Sequence, residues 1–288
     1  MATYNSLISR TDAAALIPEE VAREIIQSVP EQSAVMRMAR RLPNMTRAQL
    51  RLPVMSGLIT AGFVDGDTGL KETGEVTWAN KYINAAELAV IVPIPETVLA
   101  DADYDMWGEV RPRIMEAFGR AFDAAVLYGT NKPSDWPDGL VTGATAASQA
   151  VTLGAGADLY EDIMGEGGVI AKVEEDGFMV TGHIAALALR AKLRGLRDNQ
   201  GLPIFVRTIQ SATPYELDGV PVDFPKNGAV DATESLLVSG DWSQLVYAIR
   251  QDVTYKVLTE AVIQNAAGTI QYNLAQQDMV ALRVVMRL

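Results

Sequence analysis

The sequence predicts an α+β fold, and three observations carry that expectation. Residues 51–95 alternate apolar and polar positions as extended strands do. One long amphipathic helix follows and closes at Leu127-Tyr128-Gly129. The tail then returns to strand alternation: Val253, Tyr255 and Val257 interleave with Asp252, Thr254 and Lys256, and Val280, Leu282, Val284, Met286 and Leu288 with Ala281, Arg283, Val285 and Arg287. Strand runs on either side of a helical run mark an α+β chain.

The first fifty residues have the character of an arm. Pro18 suits a first helical position and Glu19 and Glu20 suit a helix N-terminus, so a helix is expected over 19–28, ended by Pro30, with a second over 31–40. From Gln32 to Val64 the chain carries five arginines, Arg37, Arg40, Arg41, Arg47 and Arg51, and no acid. This stretch is either a contact with nucleic acid or an acidic partner surface, or a solvated face making ordinary ion pairs.

Between Phe63 and Trp78, Asp65-Gly66 and Thr68-Gly69 supply turn chemistry between two extended segments, the second of which stops at Pro93 and Pro95. An arm this long cannot bury both faces within its own domain and is expected to lie on a neighbour. The long helix begins between Asp101 and Pro112, with Pro112 either in its first turn or kinking a longer helix. Asp101, Asp103 and Asp105 read as helix N-terminal charge, because Met106 and Pro112 occupy positions where a calcium loop needs glycine and glutamate. Arg113, Glu116, Arg120 and Asp123 recur as one narrow polar stripe, and nearly everything else is apolar, so the helix is covered on most sides. Glu116 and Arg120, four residues apart, are expected to pair.

Residues 130–157 are turn-rich and mark a boundary. Asp158–Glu175 reads as helix interrupted by Gly165, Gly167 and Gly168, Phe178–Thr181 as a buried strand and His183–Arg197 as a helix. Tyr215–Val222 reads as a hairpin about Asp218-Gly219, and Leu236–Val238 as a strand. A loop around Gly268 separates the two strand runs of the tail.

The 288 residues can bury roughly three quarters of their unfolded surface. A net charge of −12 argues against a surface that holds duplex nucleic acid tightly, but does not exclude a container whose walls must not stick to packed nucleic acid. With no cysteine there is no disulfide, thiolate metal site or cysteine nucleophile; with His183 the one histidine, neither a catalytic triad nor a common zinc site can be assembled. No phosphate-binding glycine loop or dinucleotide fingerprint occurs. The uncharged run Gly139–Ala157 is too polar to span a membrane, and no signal peptide is visible. No catalytic, cofactor-binding or metal-binding residues and no cofactor are therefore assigned.

In this order, several stretches together resemble the major capsid proteins of tailed double-stranded DNA bacteriophages, the Hong Kong 97 fold. They are Leu16–Val21, Phe63–Trp78, Ala124–Gly129, Leu196–Pro203, Leu217–Val222 and Ser239–Ser243 leading into Tyr247–Leu258. The resemblance implies an N-terminal arm (1–50), an extended loop (51–90), a peripheral domain (91–133 with 245–288) and an axial domain (134–244). It implies a non-enzymatic subunit that self-assembles through pentamers and hexamers into an icosahedral head around double-stranded DNA, held by weak contact. Arg37, Arg40 and Arg41 would face the interior or a partner, and Phe63, Lys71, Trp78 and Lys81 would lie on the inter-subunit loop. Other implied partners are a separate scaffolding protein, since Met1 precedes the arm by few residues, a portal and a decoration protein. No membrane is implied; the product is a virion capsid assembled in the host cytoplasm, and the natural chain continues past Leu288 if it follows many relatives. No motif assigns a Lys–Asn cross-link. The alternatives are an encapsulin-type compartment shell with the same fold and a carboxylate-dependent hydrolase.

Overall fold

The computed structural model describes residues 33–55, 57, 59, 61–64, 71, 73–101, 105–197 and 215–288. The helix expected over 19–28, the turns at Asp65-Gly66 and Thr68-Gly69, and most of Leu196–Pro203 lie outside them.

The body is built on the strand Met279–Arg287. It pairs antiparallel with Gln251–Leu258 on one edge and with Glu87–Pro95 on the other. Val284 therefore stands between Tyr255 and Val90. Alternation turns Leu282, Val284 and Met286, with Leu88, Val90 and Val92, toward one face. There they pack with Ile114, Phe118 and Phe122 of the long helix in one core. Burying each such side chain stabilises the fold by about 1.5–3 kcal/mol.

That helix is Met106–Tyr128. Asp105 caps its start by accepting a hydrogen bond from the Gly108 N–H at 3.1 Å, and Gly129, at φ 75°, ends it in the left-handed conformation that glycine adopts without strain. Pro112 neither opens the helix nor ends it; it lies in the second turn and forfeits one backbone bond. Glu116 pairs with Arg113 at 2.8 Å rather than with Arg120.

Past the helix, the chain folds back across its own C-terminus. A Cβ at Gly139 would stand 2.4 Å from the Gly129 nitrogen and 2.5 Å from the Tyr128 carbonyl carbon, so only glycine admits this crossing. Leu140–Ala146 then forms a short helix where a polar loop was expected, because Leu140 can join the main core.

A second sheet runs in the order Glu216–Leu217, Val220–Asp223, Gly182–Ala185, Leu237–Gly240. The hairpin turns at Asp218 (φ 50°) and Gly219 (φ 73°), as expected of an Asp-Gly pair. Leu159–Met164 and Val169–Glu175 form two helices broken at the glycines. The buried strand, however, is Gly182–Ala185 rather than 178–181, and the following helix is only Leu189–Gly195. Phe178 and Met179 are exposed. A strand covered on both faces, as this one is, reads as a continuous apolar run, so periodicity alone does not separate it from a buried helix. Ala185 serves a second core with Ile163, Ile170, Leu189, Leu193, Leu217 and Val222, while Ile184 belongs to the first.

The tail's loop around Gly268 is itself a small hairpin, Val262–Gln264 with Ile270–Asn273.

His183 lies in this central strand, fully buried, with Nδ1 2.7 Å from Ser239 Oγ. Burial holds its pKa below the ordinary 6.5, so the imidazole is neutral in the fold. A depressed pKa means that its contribution to stability is present above 6.5 and is lost as pH falls toward the folded value. The urea midpoint is expected to fall between about pH 7.5 and about pH 5.5, a window in which no other side chain of ordinary pKa titrates. A His183→Gln variant, starting lower, should show a flatter pH dependence over the same range; an equal slope in both proteins would show that His183 is not its source.

Candidate assembly interface

Two features stand out among the described residues: a buried junction that fixes the arm's first described residues, and a ribbon that leaves the body.

The junction centres on Asp123, fully buried on the long helix. Ser33 caps the helix Ala34–Met38, its Oγ accepting from the Met36 N–H at 2.9 Å and donating to Asp123 Oδ1. The Ala34 and Val35 N–H groups donate to Asp123 at 3.0 and 3.1 Å. Asn227 Nδ2 donates to Oδ2 at 3.2 Å. Burial raises the carboxyl's pKa, and the four hydrogen bonds oppose that rise. Every partner is a donor, which suits an ionised carboxylate, an acceptor only. Asp123 therefore belongs to the interior, not to a solvated stripe. The sequence holds one sign of this, a lone acid inside Ala121-Phe122-Asp123-Ala124-Ala125. Its partners, some ninety and a hundred residues away, leave no trace in local spacing.

Of the three arginines singled out in the sequence, Arg37 is ion-paired with Asp223 of the same chain. Arg40 and Arg41 are not helical, because the chain turns extended at Ala39; they pair in parallel with Val246 and Tyr247 and stay exposed. Arg41 also donates to Asn44 Oδ1 at 3.0 Å.

The ribbon consists of Gln49–Met55 and Trp78–Asn84, paired from Gln49–Asn84 to Met55–Trp78. Its root is held firmly. Ala85 N–H donates to the Ala48 carbonyl, Ala86 and Leu288 exchange both backbone bonds, and Trp136 Nε1 donates to the Asn84 carbonyl at 3.3 Å. The Trp136 ring stands edge-on to Phe122, centroids 6.0 Å apart, tying that root to the helix. Glu87–Pro95 already belongs to the long sheet, so the ribbon ends at Asn84. Away from the root, Val54, Met55, Ile59, Val64, Trp78 and Tyr82 are exposed, and Phe63 is fully so at 110 %. Lys71 and Lys81 are exposed too, Lys81 opposite Leu52. A lone two-stranded ribbon is marginal in water, and a run of exposed apolar side chains marks a contact surface.

Among the described residues no group of histidines, cysteines and acids is placed to hold a metal, and no helix is long and apolar enough to cross a membrane. A helix-on-sheet body, a second sheet region and an apolar ribbon covering neither define a shell subunit of the Hong Kong 97 type, made to lie on its own copies. The chain belongs to the Phage capsid family, which matches residues 13–288. It is a structural protein of a phage capsid, the subunit of an icosahedral shell. It is 29 % identical over 271 residues to the major capsid protein of Staphylococcus phage 80alpha, covering 93 % of this chain and 78 % of that one. A solved chain from Microbacterium phage Oxtober96 superposes with a TM-score of 0.85 at 40 % identity, over 98 % of this chain and 92 % of that one. One from Mycobacterium phage Bobi gives 0.81 at 32 % identity, over 98 % and 91 %. These relatives lend no support to the encapsulin or hydrolase readings.

Asp123→Ala strands one hydroxyl, two backbone N–H groups and one amide in the interior. It is expected to cost about 3–5 kcal/mol of unfolding free energy by urea titration, against about 0.5 kcal/mol or less for Glu116→Ala on the half-exposed stripe.

Proposed function

We propose that the ribbon is the extended loop by which each subunit lies across its neighbour, and that pentamers and hexamers so joined close the head around double-stranded DNA. The observation that supports this is the contrast within one element: a root bonded to the chain's last residue and to Trp136, and an apolar outer part that the chain leaves uncovered. Each specific interface should bury about 1,000 Å² or more. Of the expected span 51–90, residues 51–84 form this loop, with Phe63, Lys71, Trp78 and Lys81 at the contact, while Glu87–Val90 start a strand of the long sheet. Residues 91–133 with 245–288 are the peripheral domain, 134–244 the axial domain that meets its copies at capsomer centres, and 1–50 the N-terminal arm.

Arg40 and Arg41 face the interior or an acidic surface of a neighbour. For Arg37, the Asp223 pair supplies such a surface within the chain. The net charge of −12 keeps contact with packaged DNA weak. A separate scaffolding protein, a portal and a decoration protein act with the subunit, and assembly takes place in the host cytoplasm. No cofactor and no catalytic step are involved.

The test is negative-stain microscopy of the expressed chain, alone and with its scaffolding partner. Closed shells of uniform diameter are expected; a wild-type chain that stays monomeric at high concentration under both conditions would sink the reading. The double variant Phe63→Ser, Trp78→Asp should assemble poorly or not at all. Its melting temperature should stay within about 2 °C of wild type, because both side chains are already in water.

A further inference from the structure

We infer that residues 33–41 are a latch between the long helix and the second sheet, and that Asp123 makes docking of this segment and closure of the loop at Asn227 a single event.

The segment is nine residues long, yet it reaches the long helix, the second sheet and the strand Val246–Tyr247. Ser33, Ala34 and Val35 bond to Asp123 of the long helix. Arg37 pairs with Asp223 at the end of a strand in the second sheet. Met38 enters that same sheet: a Cβ at Gly182 would lie 2.0 Å from its methyl carbon, so the glycine is the notch that admits it. Tyr247 donates its hydroxyl to the Met36 carbonyl at 3.3 Å, and Arg40 and Arg41 pair with Val246 and Tyr247 ahead of the long sheet. Ala34 and Val35 are wholly buried in the first core.

The long helix has a second, direct tie to the region before the fourth strand of the second sheet. Asn227 donates to Asp123 and accepts from the Ala229 N–H at 3.0 Å, so its side chain both orders its own loop and fastens it to the helix. Nearby, the Tyr128 hydroxyl accepts from the Asp231 N–H at 3.0 Å and lies 2.8 Å from Ser235 Oγ.

The coupling follows from the arithmetic of one carboxylate. Its four donors come three from the latch and one from the loop. Withdrawing the latch leaves a buried carboxylate with a single partner, and an under-bonded buried charge is costly enough to draw in water or move the wall around it. That wall includes the Asn227 loop. Withdrawing the loop, conversely, weakens the site on which the latch is docked. By linkage the two effects are equal in free energy. A capsid gives such a device a use, since identical chains must settle into unlike surroundings and a latch offers discrete settings of the second sheet against the long helix.

The coupling is a property of the single chain, so it is tested on the full-length unassembled protein, whether or not shells form. The variants are Ser33→Ala and Asn227→Ala, two side chains that share Asp123 as a partner. In hydrogen-exchange mass spectrometry, Ser33→Ala is expected to speed exchange at 228–231 by about 10-fold while leaving 159–175 unchanged, and Asn227→Ala to do the same at 34–39. In urea unfolding the double variant should be more stable than the product of the single effects predicts, by about 5-fold in the equilibrium constant. Effects confined to each variant's own segment, below about 2-fold at the other, or strictly multiplicative unfolding constants, would overturn the inference.

Discussion

A single buried carboxylate holds the subunit's parts in relation to one another. Asp123 lies on the long helix of the first core, and its hydrogen bonds run to the arm on one side and to the Asn227 loop on the other. An isolated buried charge is among the most expensive groups a fold can contain. The expense becomes specificity here, because only one arrangement of arm, helix and loop supplies all four donors. Apolar packing of Phe118 and Phe122 on the sheet would tolerate small slides of the helix; four directional bonds to one carboxylate do not.

With the body fixed in this way, the ribbon can be left unfinished. Its root inherits rigidity from the long sheet through Ala86 and Leu288, and from the helix through Trp136 and Phe122. Among the described residues its outer part has neither a third strand nor a covering layer, and its apolar side chains are exposed. Folding free energy thus resides in the body, and association free energy is held in reserve in the ribbon. That division suits a protein that must first fold alone and then bind its own kind.

Much of this was legible in the sequence and some of it was not, for reasons that differ by element. The long helix was readable from its narrow polar stripe, and the last strand because its second face, though partly buried, still carries Arg283 and Arg287 between apolar positions. The Asp218-Gly219 hairpin was readable because left-handed turn residues are few. Gly182–Ala185 was misplaced because burial on both faces erases alternation. The short helix at Leu140–Ala146 was hidden because its reason is tertiary: Gly139 lets the chain cross Gly129, and Leu140 then reaches the core. At the site, the exposed ribbon was legible as an arm too long to bury itself. The Asp123 junction was not, since its partners lie far off in the chain and Asp123 fits the helix's polar period as well as any solvated residue.

An exposed apolar ribbon is also an aggregation hazard, and charge limits it. Sheet edges in water are blunted by basic side chains, and here Arg51 faces Tyr82 and Lys81 faces Leu52 across the pair. The whole chain carries a net charge of −12, so free subunits repel one another at long range. Apolar contact acts only at short range, and a ribbon laid on a different part of its neighbour would make a head-to-tail contact, which closes into rings when its rotation allows. Charge thus keeps free chains apart while the exposed apolar side chains of the ribbon hold the association free energy.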